Sequence, residues 1–360
     1  MDIGPFSQPS ELAPFEDVFR FVSFTIARFC TFCAHAILFG LVPVSFLVLR
    51  PSFKPLQGEF WDGARRRLSI RLEGLVRAGL LASFIATIIA ILLQAVLVSE
   101  VAGGEVESSS FSAALSTSFG RWYALRIPVL GGLAVLLVNR VSTRVLAGAG
   151  DDRPAPARSW WMTWTVLAAF LLSTSSFSGH AAVAQPLGLS LANDVIHLVA
   201  GAIWFTGIIV LAIGLPDTWR RGSRSDRVQV LAPVIVRFST VAAISVTVLA
   251  ITGTLNSFLH VGALSDLFST SYGLALLLKI GLFLGVLALG GVNHYWVRER
   301  LRKAAAANAD TNAPAIFRRT IAAELIVALL LMGMTGMLVG LARTKETGPA
   351  TTTLTPEASS

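Results

Sequence analysis

Charge is what this chain has least of. Only 14% of its 360 residues are charged, against 54% hydrophobic, and mean hydropathy is +0.69. One soluble core could not hide that much apolar surface, which excludes an ordinary soluble protein and makes the chain a polytopic membrane protein. Other absences narrow the function. No G-x-x-x-x-G-K-[ST] loop is present, so the chain does not read as an ATP-driven pump by itself. Neither H-E-x-x-H nor G-x-S-x-G occurs, and no hydrolytic constellation stands out, so no enzyme is expected. The two cysteines stand in "CTFCAH", one residue too long for the C-x-x-C-H haem attachment signature.

What is present is a series of long apolar runs. About 20 apolar residues cross roughly 30 Å of hydrocarbon, and eight stretches qualify, near 21–49, 74–98, 121–147, 160–178, 193–215, 233–258, 272–297 and 319–342. Each must be helical, because the bilayer offers no water to backbone polar groups. The expected fold is an all-α bundle of about eight transmembrane helices spanning 21–342. It is flanked by a tail at 1–20 without the features of a cleaved signal and by a Thr/Pro/Ser-rich, disordered tail at 343–360.

Most of the 29 lysines and arginines fall in four loops, those after the first, third, fifth and seventh spans. By the positive-inside rule these loops are cytoplasmic and both termini are extracytoplasmic. The net charge of +8 is then a topology signal beside a lipid surface, with no nucleic-acid partner implied.

Polar residues inside the spans are costly and carry the functional signal. Arg77 and Arg237 lie close enough to the cytoplasmic ends to snorkel. Arg28, Arg126 and Lys279 lie deeper from the opposite end and mark either a polar outer vestibule or further snorkelling. His180, His197 and His260 gather at that same outer rim. Asp194, His197, Gly201 and Trp204 recur on one face of the fifth span, and Asp194 is expected to accept the spare imidazole N–H of His197. Ser245, Thr252, Asn256 and His260 make a polar stripe on the sixth span, either a ligand path or interhelical glue. Met332, Met334 and Met337 stand in the outer half of the eighth. Imidazole and thioether together suit copper, above all Cu(I), although methionine is also ordinary apolar filler. Cys30 and Cys33 share a face, with His35 pointing elsewhere, and are either a soft-metal pair or small buried hydrophobes. Glu324 is expected to pair with Arg77 or Arg237.

The runs "FSGHA", "NDVIHLVAGAIWFTGIIVL", "VIVRFSTVAAISVTVLAITGTLNSFLH" and "STSYGLALLLKIGLFLGVLALGGVNHY", with "TSFGRWYALRIPVL" in the third span, resemble the CopD family of bacterial copper-resistance membrane proteins over about 117–340. The resemblance implies an inner-membrane protein of copper transport, homeostasis or resistance, working beside a periplasmic CopC-like copper-binding partner. It points to His180 and His197 as functional positions and to Thr252, Gly253, Tyr272, Gly273 and Lys279 as positions of the family pattern. The expected metal ligands are His180, His197, His260, Met334 and Met337, supported by Asp194, Trp204, Asn256 and Lys279. Cys30, Cys33, His35, Arg28 and Arg126 are further candidates. Two alternatives remain: a b-type haem protein with histidines as axial ligands and Arg28, Arg126 and Lys279 on the propionates, and an assembly factor for a copper oxidase.

The charge pattern makes a direct prediction. Alkaline phosphatase fused after Lys345 should be active and green fluorescent protein at that point dark; the reverse result would invert the topology.

Overall fold

The computed structural model describes residues 13–101, 106–138, 157–178, 186–214, 223–260, 264–307 and 311–340, which form helices and turns with no strand. Eight helices are long: α1 Ala13–Val44, α2 Glu59–Val101, α3 Ser118–Val138, α4 Arg158–Phe177, α5 Leu187–Gly214, α6 Arg224–His260, α7 Ser271–Gly291 and α8 Ala313–Leu338. Each overlaps one expected span, and residues 139–147 of the expected third span lie outside the described residues. Seven are long and apolar enough to cross a membrane, and α4, with its tryptophans and serines, is not among those seven. The protein is a polytopic helical membrane bundle.

Local chemistry sets several helix boundaries. Pro43 lacks the N–H that would continue the ladder of α1, and just beyond it the chain widens into a π turn, Ser45–Leu49, before a last helical turn, Arg50–Phe53. A second π turn, Val292–Val297, carries α7 into the basic helix Arg298–Ala307. Two helices start on threonine caps. Thr117 Oγ1 accepts the Gly120 N–H at 2.9 Å ahead of α3, and Thr270 Oγ1 accepts the Gly273 N–H at 3.0 Å ahead of α7. A short helix precedes each cap, Ser108–Ser116 and Asp266–Ser269 respectively.

α1 and α5 are the most buried spans and form the central pair. They pack on each other; α1 also contacts α2, α4 and α8, and α5 contacts α4, α6 and α8. Their seam is close because Gly40 has no side chain: a Cβ there would run into the Ala202 carbonyl oxygen and Thr206 Oγ1. Thr206 Oγ1 donates to the Ala36 carbonyl at 2.7 Å across the same crossing. Trp164 Nε1 donates to Leu38 O at 3.0 Å and ties α4 to α1. The outer faces of the other helices present Ile244, Ile251, Leu278, Leu284 and Ile326, as helices facing lipid do. Arginines gather at one end of the bundle, at the starts of α2 and α8 and after α7. At the other, terminal end, the finish of α8 meets the start of α1, with Gly340 against Phe21 and Arg28.

Gly40→Val should therefore lower the melting temperature in detergent markedly. Thr206→Val should cost about 0.6 kcal/mol, the usual worth of an interhelical hydrogen bond in a membrane. Equal melting temperatures for Gly40→Val and the parent would refute the close seam.

Candidate metal site

Residues 193, 197 and 201 recur every fourth position on α5 and face α6. Gly201 abuts Leu249, and the imidazole of His197 packs over Gly253, where an added Cβ would stand 3.4 Å from Cε1. His197 Nδ1 lies 2.8 Å from Thr252 Oγ1. The direction of that hydrogen bond follows from the next one along. Thr252 Oγ1 also lies 2.6 Å from Val248 O, and with its one proton on that carbonyl it accepts from His197. In that arrangement Nδ1 carries the proton and Nε2 keeps its lone pair. This is the orientation a metal-ligating histidine needs.

Asn193 holds the two helices in register. Its Nδ2 donates to Thr252 O at 3.0 Å and to Asn256 Oδ1 at 2.8 Å. The polar stripe of α6 thus faces α5, with Thr252 buried and Asn256 at its edge. Lys279 of α7 acts electrostatically on His197, and Asp194 acts on Lys279. Thr252 is the neighbour of His197 Nδ1, and Asp194, one turn before His197 on α5, acts electrostatically on Lys279. Trp204 is buried in the main core and shapes α5 from behind.

The remaining candidates are dispersed. His180 lies outside the described residues, and α6 ends at His260, whose side chain is likewise undescribed. Met334 packs with the small apolar cluster of Tyr272, Ala275, Leu276 and Leu338, and Met337 is half-buried one turn on. Cys30 and Cys33 are free thiols, half-buried, with Cys33 against the main core. Among the described residues no three His, Cys, Asp or Glu side chains are grouped to hold a metal, and no hydrogen bond or ring contact joins two histidines.

Two polar centres lie elsewhere. In α1, His35 is fully buried with Nε2 2.9 Å from Ser83 Oγ of α2. Arg126 of α3 is fully buried as well, so snorkelling is ruled out for it. Its Nε donates to Thr174 Oγ1 at 2.8 Å, and its guanidinium stacks 3.7 Å over the Tyr123 ring. Toward the arginine-rich end, buried Glu324 accepts from Asn293 Nδ2 at 2.6 Å, and Thr320 Oγ1 donates to Asn293 Oδ1 at 2.6 Å. The expected partner of Glu324 is corrected: Asn293, brought inward by the π turn, takes the place of Arg77, which pairs with Glu73 on its own helix. Ser239 and His294, 2.5 Å apart, complete that end.

A family model described as "Copper resistance protein D" matches residues 232–338, and a second, "Copper resistance protein D-like, N-terminal domain", matches 19–188. The chain belongs to the copper resistance protein D family. Copper resistance protein D of Pseudomonas syringae pv. tomato is 25% identical over 235 residues, 64% of this chain and 71% of that protein. The copper transport protein CutJ of Bacillus subtilis (strain 168) is 34% identical over 142 residues, 39% of this chain and 26% of that protein, so the match spans about a quarter of the longer relative. No solved structure matches.

Asn193, which ties α5 to α6 beside His197, escapes a reading that looks for charges and imidazoles. Its signal is present in the sequence, an amide four residues before His197 and hence on the same face. Replacing Thr252 by Val removes the acceptor for His197 Nδ1–H and should weaken copper binding about 10- to 100-fold, with Thr252→Ser close to the parent. Equal affinity in Thr252→Val, measured by competition with a copper chelator, would show that Thr252 does not orient the ring.

Proposed function

We propose that this chain carries copper ions across the bacterial inner membrane, taking them at the terminal, extracytoplasmic end through the lone pair of His197 Nε2. The observation that carries this reading is the hydrogen-bond relay Val248 O, Thr252 Oγ1, His197 Nδ1, which, with the Thr252 proton on the backbone, leaves Nε2 as the ligand nitrogen. The pairing of Asp194 with Lys279 favours it too. A lysine near a cation path repels the cargo, and a carboxylate beside that lysine cancels most of the repulsion.

His180 and His260 supply further imidazoles in this proposal, and Met334 and Met337 supply thioethers on α8. The soft and borderline donors together favour Cu(I). Passage toward the cytoplasm ends near Asn293, His294 and Glu324, the polar cluster at the arginine-rich end. A periplasmic CopC-like protein delivers the metal. Transfer to a copper oxidase under assembly would use the same ligands and differs only in the acceptor.

In cells, His197→Ala should reduce copper accumulation severalfold and lower the copper bound per purified chain. Unchanged accumulation and unchanged stoichiometry would refute the proposal. The visible spectrum of the same preparation tests the haem alternative, because a Soret band that disappears in His197→Ala would assign the imidazole to haem iron.

A further inference from the structure

Two segments, one in each half of the sequence, repeat one another. "TSFGRWYALRI", 117–127, aligns without gaps on "TSYGLALLLKI", 270–280, so that Thr117 matches Thr270, Gly120 matches Gly273, Arg126 matches Lys279 and Ile127 matches Ile280. The match is structural as well as literal. Thr117 Oγ1 donates to Ala114 O at 2.7 Å, and Thr270 Oγ1 donates to Asp266 O at 2.7 Å. Both threonines cap the helix through the glycine N–H three residues on. Both glycines are seated on the preceding short helix: a Cβ at Gly120 would strike Ala114 O and Leu115 Cα, and one at Gly273 would strike Asp266 O and Leu267 Cα.

The equivalence extends to the helices around these starts. α1 to α4 and α5 to α8 have the same order of four long helices, and the basic loops after the first, third, fifth and seventh give the two copies the same direction. At the centre α1 meets α5, and the α1–α8 contact answers the α5–α4 contact as a two-fold axis requires, whereas the α2–α3 packing has no equally close α6–α7 counterpart. Each unit holds one buried or half-buried histidine on its first helix, bonded to a hydroxyl on its second and acted on by a cation of its third. In the second unit these are His197, Thr252 and Lys279. In the first they are His35, Ser83 and Arg126.

The units differ in charge. Asp194 answers Lys279, but the membrane stretches of the first unit, 21–53, 74–99, 118–138 and 158–178, contain no Asp or Glu. Arg126 is thus a fully buried cation with hydroxyl and ring partners and no counter-charge among the described residues. Two buried atoms in this centre have no hydrogen-bond partner, Arg126 Nη1 and His35 Nδ1. With the Ser83 hydroxyl donating to His35 Nε2, Nδ1–H is a second unused donor. Arg28, half-buried on α1, adds positive charge near Tyr123. An isolated buried guanidinium is costly without an anion.

We propose that the chain is a tandem pair of parallel four-helix units, and that the first unit holds a small inorganic anion of the halide class between Arg126 and His35, at the position where the second unit presents its metal-binding imidazole. The two sites have diverged by one carboxylate. Where Asp194 cancels the lysine, a metal cation is admitted; where no acid faces the arginine, an anion completes the charge. The duplication and the anion site stand independently of whether His197 binds copper.

The test uses the purified full chain, melted in sodium gluconate with chloride replacing gluconate at constant ionic strength. A ligand bound only by the folded state raises the melting temperature with concentration. The parent should show that rise, Arg126→Gln should be flat, and His197→Ala should keep the rise while losing copper. No chloride dependence in the parent, or an equal rise in Arg126→Gln, would overturn the proposal. Should Arg126→Gln fail to fold, crystals of the parent in bromide decide: an anomalous peak beside Arg126 Nη1 and His35 Nδ1 supports the site, and a water there refutes it. Copper bound at His35, detected as lost stoichiometry in His35→Gln, would also contradict it.

Discussion

The seam between α1 and α5 is the constraint on which the rest of the molecule depends. Without a hydrophobic force to press helices together in lipid, close packing and interhelical hydrogen bonds must do so, and here both are supplied at one crossing, where Thr206 reaches over Gly40 to the Ala36 carbonyl. Of the other long helices, α2, α4, α6 and α8 contact one or both of these two, while α3 and α7 pack on the helices around them. His35 lies on one member of the pair and His197 on the other. The seam therefore fixes the separation and the common orientation of the two polar centres, and it makes the α1–α5 pair the natural axis of the molecule.

Around that axis the chain solves one problem twice, with different outcomes. A polar side chain inside a bilayer must be satisfied by another helix. In the second unit the solution is complete on paper: Asn193 bonds two groups of α6, Thr252 passes its proton to the backbone, and Asp194 faces Lys279. What remains is a single unoccupied lone pair on His197. In the first unit the residues are fully buried and yet unfinished, with an unused donor on Arg126 and no acid facing it among the described residues. The contrast follows from the absence of an acid on α1 matching Asp194, and it explains why two sites of one plan would hold ligands of opposite charge.

Much of the fold was legible in the sequence. Long helices follow from apolar length, because a membrane leaves the backbone no other solution, and each of the eight apolar runs overlaps one, seven of them long and apolar enough to cross. The π turns at Ser45–Leu49 and Val292–Val297 were not legible, and the second one misdirects a reading by periodicity: it turns Asn293 toward Glu324, which charge logic alone assigns to an arginine. For the site, His197 and the α6 stripe could be read from spacing, since i and i+4 positions share a face. The partner of His197 Nδ1 could not, because Asp194 and Thr252 are equally plausible until the α5–α6 register is known. The same reasoning left Arg126 undecided between snorkelling and burial, which only its packing against Thr174 and Tyr123 resolves. The repeat joining 117–127 to 270–280 was present in the letters, but short matches carry weight only once both segments are seen to build the same capped helix start.

The most direct test of the central claim, that His197 presents Nε2 to copper, is X-ray absorption at the copper edge of the purified, copper-loaded chain. The account predicts imidazole backscattering that is strongly reduced in His197→Ala and unchanged in His35→Ala. An imidazole signal of the same strength in His197→Ala would contradict it.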